Sequence, residues 1–168
     1  ALVVSAGNLI TFILAWELMS RASFFLVIYN YEEAQNRKAG YLYFIFSQVG
    51  AMFILAAFGV IYAHGPGFAF ETAAALPEHL KILVFVLTFI GFGSKAGIFP
   101  IHVWLPHAHP AASSHISAVM SGVMIKTGIY GILRVYVMLD WHAAIFGDIV
   151  LIAGMLSGLS ATLLYIFW

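Results

Sequence analysis

Apolar residues fill most of the chain in long blocks, separated by short polar or helix-breaking segments. The blocks run roughly over residues 1–29, 39–63, 80–98, 112–138 and 143–167. A helix needs about 20 apolar residues to cross the hydrocarbon core of a bilayer. The pattern therefore predicts about five transmembrane helices and an all-α membrane fold.

The third block ends in a segment that cannot continue as a regular helix. Three glycines surround Lys95, and Pro100 follows five residues later. Proline cannot donate to the helix ladder and disfavours helix in the residue before it. We therefore predict a break near residues 97–100, followed by a short half-helix, PIHVWLPHA. Broken helices at membrane depth are buried in protein or line a cavity, and they mark ion pathways in transporters.

Composition supports a membrane protein and excludes several other classes. Of the residues, 63% are hydrophobic and 8% are charged, whereas soluble domains carry about 25% charged residues. Both ends are span-like and no Met begins the chain, so we expect residues 1–168 to be one partial domain of a longer subunit. The absence of cysteine excludes disulfides and thiolate clusters within these residues,. A net charge of +0 gives no footprint for nucleic acid,.

Three ionisable residues lie deep inside apolar blocks: Glu17, Lys95 and Lys126. A charged side chain at the centre of a bilayer costs about 2.5 to 3.5 kcal/mol on insertion scales. Our hypothesis is that these groups carry protons, with changes in the distance between Glu17 and Lys95 loading or unloading the lysine. The alternative is structural: the lysines form salt bridges within the bundle, and Glu17 pairs with Arg21 one turn later.

Four histidines, His102, His107, His109 and His115, lie between the two lysines in sequence. Histidine titrates near neutral pH, so His109 or His115 could relay protons between the lysines. A capping or interfacial role is the simpler alternative. The HAH pattern with a later histidine could also bind zinc, but no cysteine joins it and the nearest acids are distant in sequence.

Polar and aromatic residues in the second block suggest structural roles. Tyr41, Tyr43 and Tyr62 suit the aromatic belts that form at membrane surfaces,. Ser47 and Gln48 are expected to make hydrogen bonds between helices. We assign no chemistry to either residue.

Three strings carry a family resemblance: WELMS, GSKAGIFPIHVWLPHAHPAA and SAVMSGVMIKTGIYGILR. Together they resemble the antiporter-like membrane subunits shared by respiratory complex I, Mrp-type sodium/proton antiporters and energy-converting hydrogenases. Within that family the second and third strings look most like the branch of formate hydrogenlyase and hydrogenase-4. The resemblance implies a fragment of a larger polytopic subunit that is built from inverted repeats.

The resemblance also implies roles for particular residues. Glu17 matches the family's buried glutamate, Lys95 the lysine beside the broken helix, and Lys126 the central lysine of the next span. Together they would form one half-channel and its lateral connection. Met120 stands near a position where many complex I relatives have a histidine, so His115 or water would have to bridge the lysines.

The implied function is proton translocation driven by redox chemistry in other subunits. Expected partners are further membrane subunits and a peripheral redox arm, which would hold the iron–sulfur clusters and the nickel–iron centre. This chain is expected to bind no cofactor, to perform no redox catalysis alone, and to lie in a prokaryotic inner membrane. The alternatives are a sodium/proton antiporter, a complex I subunit, or a structural anchor for a hydrogenase arm.

Overall fold

The computed structural model describes the backbone of residues 1–140 and 144–167, and the side chains of residues 1–140 and 146–162. These parts are almost entirely helical. The helices are α1 Leu2–Ser5, α2 Leu9–Val27, α3 Ala34–His64, α4 Glu78–Ala96, α5 Leu105–Ala111, α6 Ser114–Val119, α7 Ile125–Met138 and α8 Ala144–Phe167. A 3-10 helix, Phe70–Ala75, precedes α4, and a π-helical turn, Met120–Met124, joins α6 to α7.

Four helices are long and apolar enough to cross a membrane. They are α2, α3, α4 and the continuous helix Ser114–Met138, which comprises α6, the π turn and α7. A shorter apolar stretch, Phe146–Thr162, lies within α8. The predicted all-α membrane fold with about five spans is therefore confirmed.

The composition of the first apolar block suggested one continuous helix, but the block contains two. Helix α1 ends at Ser5, and α2 begins at Leu9. The side chain of Asn8 accepts a hydrogen bond of 2.8 Å from the Thr11 N–H. Asparagine is a strong N-cap because it satisfies a backbone N–H that the first turn leaves without a partner. This cap fixes the start of α2.

The predicted helix break is confirmed, and its geometry is more specific than the prediction. Helix α4 ends at Ala96, and Gly97 adopts a left-handed conformation with φ 75°. Glycine adopts this conformation without the steric penalty of a Cβ atom. The half-helix after the break is α5, Leu105–Ala111, so it starts five residues later than Pro100.

Helix α4 packs between α3 and α7, while α2 and α5 pack on α3. Glycines permit these close approaches. A Cβ added at Gly91 would lie 2.7 Å from the Gly50 carbonyl oxygen, and one at Gly128 would lie 2.8 Å from the Phe92 carbonyl oxygen. The last turn of α4 is thus held tightly between two neighbouring helices.

Candidate functional site

Lys95 lies in the last turn of α4 and is 2% exposed. Its Nζ donates to Ser20 Oγ and to Ser47 Oγ, each at 3.2 Å, and to the hydroxyl of Tyr43. No carboxylate lies within ion-pair distance of Lys95 in the described ranges. The amine therefore sits in a cage of three hydroxyls, which we call the Lys95 cage (Ser20, Tyr43 and Ser47).

The segment after the break covers this cage. Trp104, the residue before α5, is 1% exposed and donates its indole N–H to the Ser94 carbonyl oxygen at 2.7 Å. Its ring contacts Tyr43 edge to face, with 5.1 Å between the ring centroids. Because Ser94 immediately precedes Lys95, the turn after the break is attached to the backbone that holds the lysine.

Glu17 lies near the middle of α2, one turn before Ser20, and its side chain is 22% exposed. Its Oε2 accepts from Arg21 Nε at 3.4 Å and from Gln48 Nε2 at 3.5 Å. Its Oε1 is buried and has no hydrogen-bond partner among the described residues. The structure thus places Glu17 beside the Lys95 cage but pairs it with Arg21. The Glu17–Arg21 pair of the structural alternative is therefore present, whereas Lys95 forms no salt bridge with Glu17.

Lys126 lies on the outer face of α7, and not in the interior of the described bundle. In the part of the chain that the structure describes, it has no ion pair or hydrogen bond. Exposed apolar side chains continue along the same helical face, at Val119, Val123, Ile129, Leu133 and Val137. The structure therefore does not bring Lys126 into contact with Lys95.

Met120 and Met124 belong to the buried cluster that also contains Tyr43 and Trp104. Both come from the π turn, and they are 0% and 4% exposed. Their side chains are apolar, so they supply no proton acceptor beside the Lys95 cage. Neither methionine can therefore bridge Lys95 and Lys126 in a proton path.

Among the described residues, no histidine forms a hydrogen bond with Lys95. His109 Nδ1 lies 2.6 Å from Ser117 Oγ, and partial burial lowers the pKa of its ring below the ordinary value. His115 is exposed at the start of α6. His102, in the turn after the break, has a buried Nδ1 with no partner among the described groups. Over residues 1–140 and 144–167 no group of three or more His, Cys, Asp or Glu could hold a metal ion.

The hydroxyls of the Lys95 cage are the site residues that the sequence prediction missed. Placing Tyr43 in an aromatic belt was wrong, since it is 0% exposed, whereas Tyr41 is 66% exposed. Ser47 follows Tyr43 by four residues, and Ser20 follows Glu17 by three. These are spacings that share a helix face, and they were the available signal.

Comparisons with known proteins find relatives over most of the chain. The family model described as NADH:quinone oxidoreductase/Mrp antiporter, TM, matches residues 6–167. An uncharacterized protein of Mycobacterium tuberculosis is 47% identical over 79% of this chain and 21% of its own length. Hydrogenase-4 component B of Escherichia coli is 41% identical over 93% of this chain and 24% of its own length.

A solved structure shares the fold. The chain is similar to part of the membrane-bound sulfane sulfur reductase, an archaeal respiratory membrane complex, with a TM-score of 0.71 and 36% identity. The match covers 82% of this chain and 23% of the solved chain. The chain spans about a quarter of the length of these relatives.

Proposed function

We propose that this chain, which belongs to the family of NADH:quinone oxidoreductase and Mrp antiporter transmembrane subunits, is part of a proton-translocating subunit of a redox-driven complex. Residues 1–168 form one partial domain of that multi-pass subunit of a prokaryotic inner membrane. The similarity to hydrogenase-4 component B favours an energy-converting nickel–iron hydrogenase or formate hydrogenlyase. Electron transfer belongs to a peripheral redox arm, which holds the iron–sulfur clusters and the nickel–iron centre, and further membrane subunits complete the assembly.

The Lys95 cage is the observation that carries this proposal. A structural lysine at this depth would be expected to pair with a carboxylate, because an unpaired buried charge is costly. Hydroxyl groups differ from carboxylates because they both accept and donate hydrogen bonds. Ser20, Tyr43 and Ser47 can accept from the ammonium form of Lys95, and a rotated hydroxyl can donate to the neutral amine. The cage therefore accommodates both protonation states.

Glu17 is placed to change the charge around the cage. One carboxylate oxygen is held by Arg21 and Gln48, while the other is buried without a partner. Arg21 is 66% exposed, so its position can respond to events outside the described bundle. Movement of the Glu17–Arg21 pair would alter the electrostatic potential at Lys95, since charges interact strongly in a medium of low dielectric constant. We propose that this movement loads and unloads the lysine.

Lys126 is proposed as the group that takes the proton onward. It lies about midway along the continuous helix Ser114–Met138, on the face that the described bundle leaves uncovered. An ammonium in contact with lipid at this depth would be costly. The remainder of the subunit would therefore cover it and continue the path. His109 and His115 are lesser candidates for a relay, since neither forms a hydrogen bond with a lysine among the described residues.

Replacing Lys126 with alanine is expected to lower coupled proton transport by about tenfold or more, because a positioned proton carrier contributes at least that much. The measurement is proton uptake into vesicles containing the full-length subunit in its assembled complex, with electron transfer followed in parallel. Lys38→Ala is the matched control, because Lys38 is exposed in the first turn of α3. Unchanged pumping with normal assembly would favour the structural anchor.

Replacing sodium with potassium separates the proton pump from the sodium/proton antiporter. We expect the initial rate of proton uptake in the same vesicles to stay the same, because protonation of Lys95 needs no sodium ion. A rate that falls with sodium removal and recovers on its addition would support the antiporter instead.

A further inference from the structure

Tyr43 makes two contacts with the same ammonium group. Its hydroxyl accepts a hydrogen bond from Lys95 Nζ, and its ring centroid lies 4.4 Å from that nitrogen. Both contacts favour a cation, since the face of an aromatic ring attracts positive charge. The side chain is fully buried. Tyr43 therefore touches the charged form of Lys95 more extensively than either serine of the cage.

Tyr43 also contacts the segment that follows the helix break. The ring of Trp104 meets the ring of Tyr43 edge to face at 72°. The same indole donates to the Ser94 carbonyl oxygen. Lys95, Tyr43, Trp104 and Ser94 thus form a closed loop of contacts, and a shift of Trp104 reaches the lysine both through the α4 backbone and through the cage.

We propose that Tyr43 is a positioning residue that couples the segment beginning at Trp104 to proton release from Lys95. This role rests on the proposed function and deepens it. While Trp104 packs against Tyr43, the Tyr43 hydroxyl accepts a hydrogen bond from Lys95 and stabilises its ammonium form. When Trp104 and α5 move away, Tyr43 follows, and the ammonium keeps two of its three hydroxyl acceptors.

The proton step at Lys95 is then balanced and needs no oxidant or reductant. One Nζ–H bond breaks, and its proton passes to a water molecule that has entered the opened turn. The bonding pair remains on Nζ as the lone pair of a neutral amine. The hydroxyl of Ser20 or Ser47, which stays beside the amine, can rotate to donate to that lone pair. Return of Trp104 restores the cage for the next proton.

Tyr43→Phe tests this coupling, because it keeps the ring and removes the hydroxyl. In the full-length subunit within its assembled complex, we expect the number of protons moved per electron pair to fall about tenfold. Loss of one hydrogen bond to a charged group changes a protonation equilibrium by about that factor. Electron transfer and assembly should be unchanged. Tyr41→Phe, two positions earlier in α3 and largely exposed, is the matched control and should match the wild type.

Trp104→Phe supplies a second readout that a purely structural role would not produce. It removes the hydrogen bond to Ser94 and is expected to lower the same ratio. Because Tyr43 and Trp104 belong to the same closed loop of contacts, the double variant should lose no more than the stronger single variant. Fully additive losses would overturn the proposal. If Tyr43→Phe does not assemble, an unchanged ratio in assembled Trp104→Phe overturns it as well.

Lys95→Met separates failure of this inference from failure of the proposed function. If Lys95→Met stops proton transport while Tyr43→Phe behaves like Tyr41→Phe, the pump stands and the role of Tyr43 is rejected. If Lys95→Met pumps normally, the proposed function itself is rejected.

Discussion

Coupled proton transport is expected to fall about 100-fold or more when Lys95 is replaced by methionine in the full-length subunit, because the proposed role of Lys95 is to carry the proton. Methionine approximates the length of the lysine side chain, so it fills the space without leaving a large cavity. The hydroxyls of Ser20, Tyr43 and Ser47 can then bond to water or to backbone carbonyls. The measurement is proton uptake into vesicles containing the assembled complex.

The stability of the same variant distinguishes a proton carrier from a structural lysine. Burying an amine costs free energy, so Lys95→Met is expected to keep or raise the thermal midpoint of the purified complex. Loss of a structural salt bridge would lower it. Lys81→Met is the matched control, since Lys81 lies near the start of the same helix and is half-buried. A variant that still pumps at the wild-type rate contradicts the role of Lys95.

The break and the buried lysine were predictable because their signals are local. Glycines around Lys95 and the proline five residues later disrupt a helix whatever surrounds them. A lysine in an apolar block is unusual by composition alone. The start of α2 was less apparent, because residues 1–29 form one long and mostly apolar block. Gly7 and the capping side chain of Asn8 were the local signs of that boundary.

The Lys95 cage could not be predicted from composition, because it forms where three helices meet. Serine and tyrosine are common on packed helix faces in membranes, so their presence alone indicates no chemistry. The error at Tyr43 has a geometric cause. Helix α3 begins at Ala34, before the apolar block at residue 39. Tyr43 therefore lies about 14 Å along α3 from its first residue, on the helix face that is buried in the bundle.

The three predicted proton carriers also differ in their exposure, which the sequence did not reveal. Lys95 is enclosed, Glu17 is partly exposed, and Lys126 faces outward. All three look equally buried in a hydropathy pattern, since the pattern does not show which face of a helix meets a neighbour. Contacts among α2, α3 and α4 determine how far Lys95 and Glu17 are buried. Lys126 lies on the outer face of α7, so these contacts do not enclose it.

Gly128→Val is expected to leave little assembled subunit in the membrane, because it forces α7 away from α4. A Cβ at Gly128 would lie 2.8 Å from the Ala96 backbone nitrogen and from the Phe92 carbonyl oxygen. These are backbone atoms, so they cannot rotate aside as a side chain can. Overpacking costs about 1 to 3 kcal/mol, and about 3 kcal/mol shifts a folding equilibrium about 100-fold.

The contact at Gly128 also lies next to the Lys95 cage, because Ala96 directly follows Lys95. Assembled subunit is measured by native gel electrophoresis of detergent extracts. Gly59→Val is the matched control, since a Cβ at Gly59 meets nothing within 4 Å among the described residues. Both variants place a β-branched residue in a helix, so any propensity effect is shared. Equal amounts of complex from the two variants would show that α4 and α7 do not need their close approach.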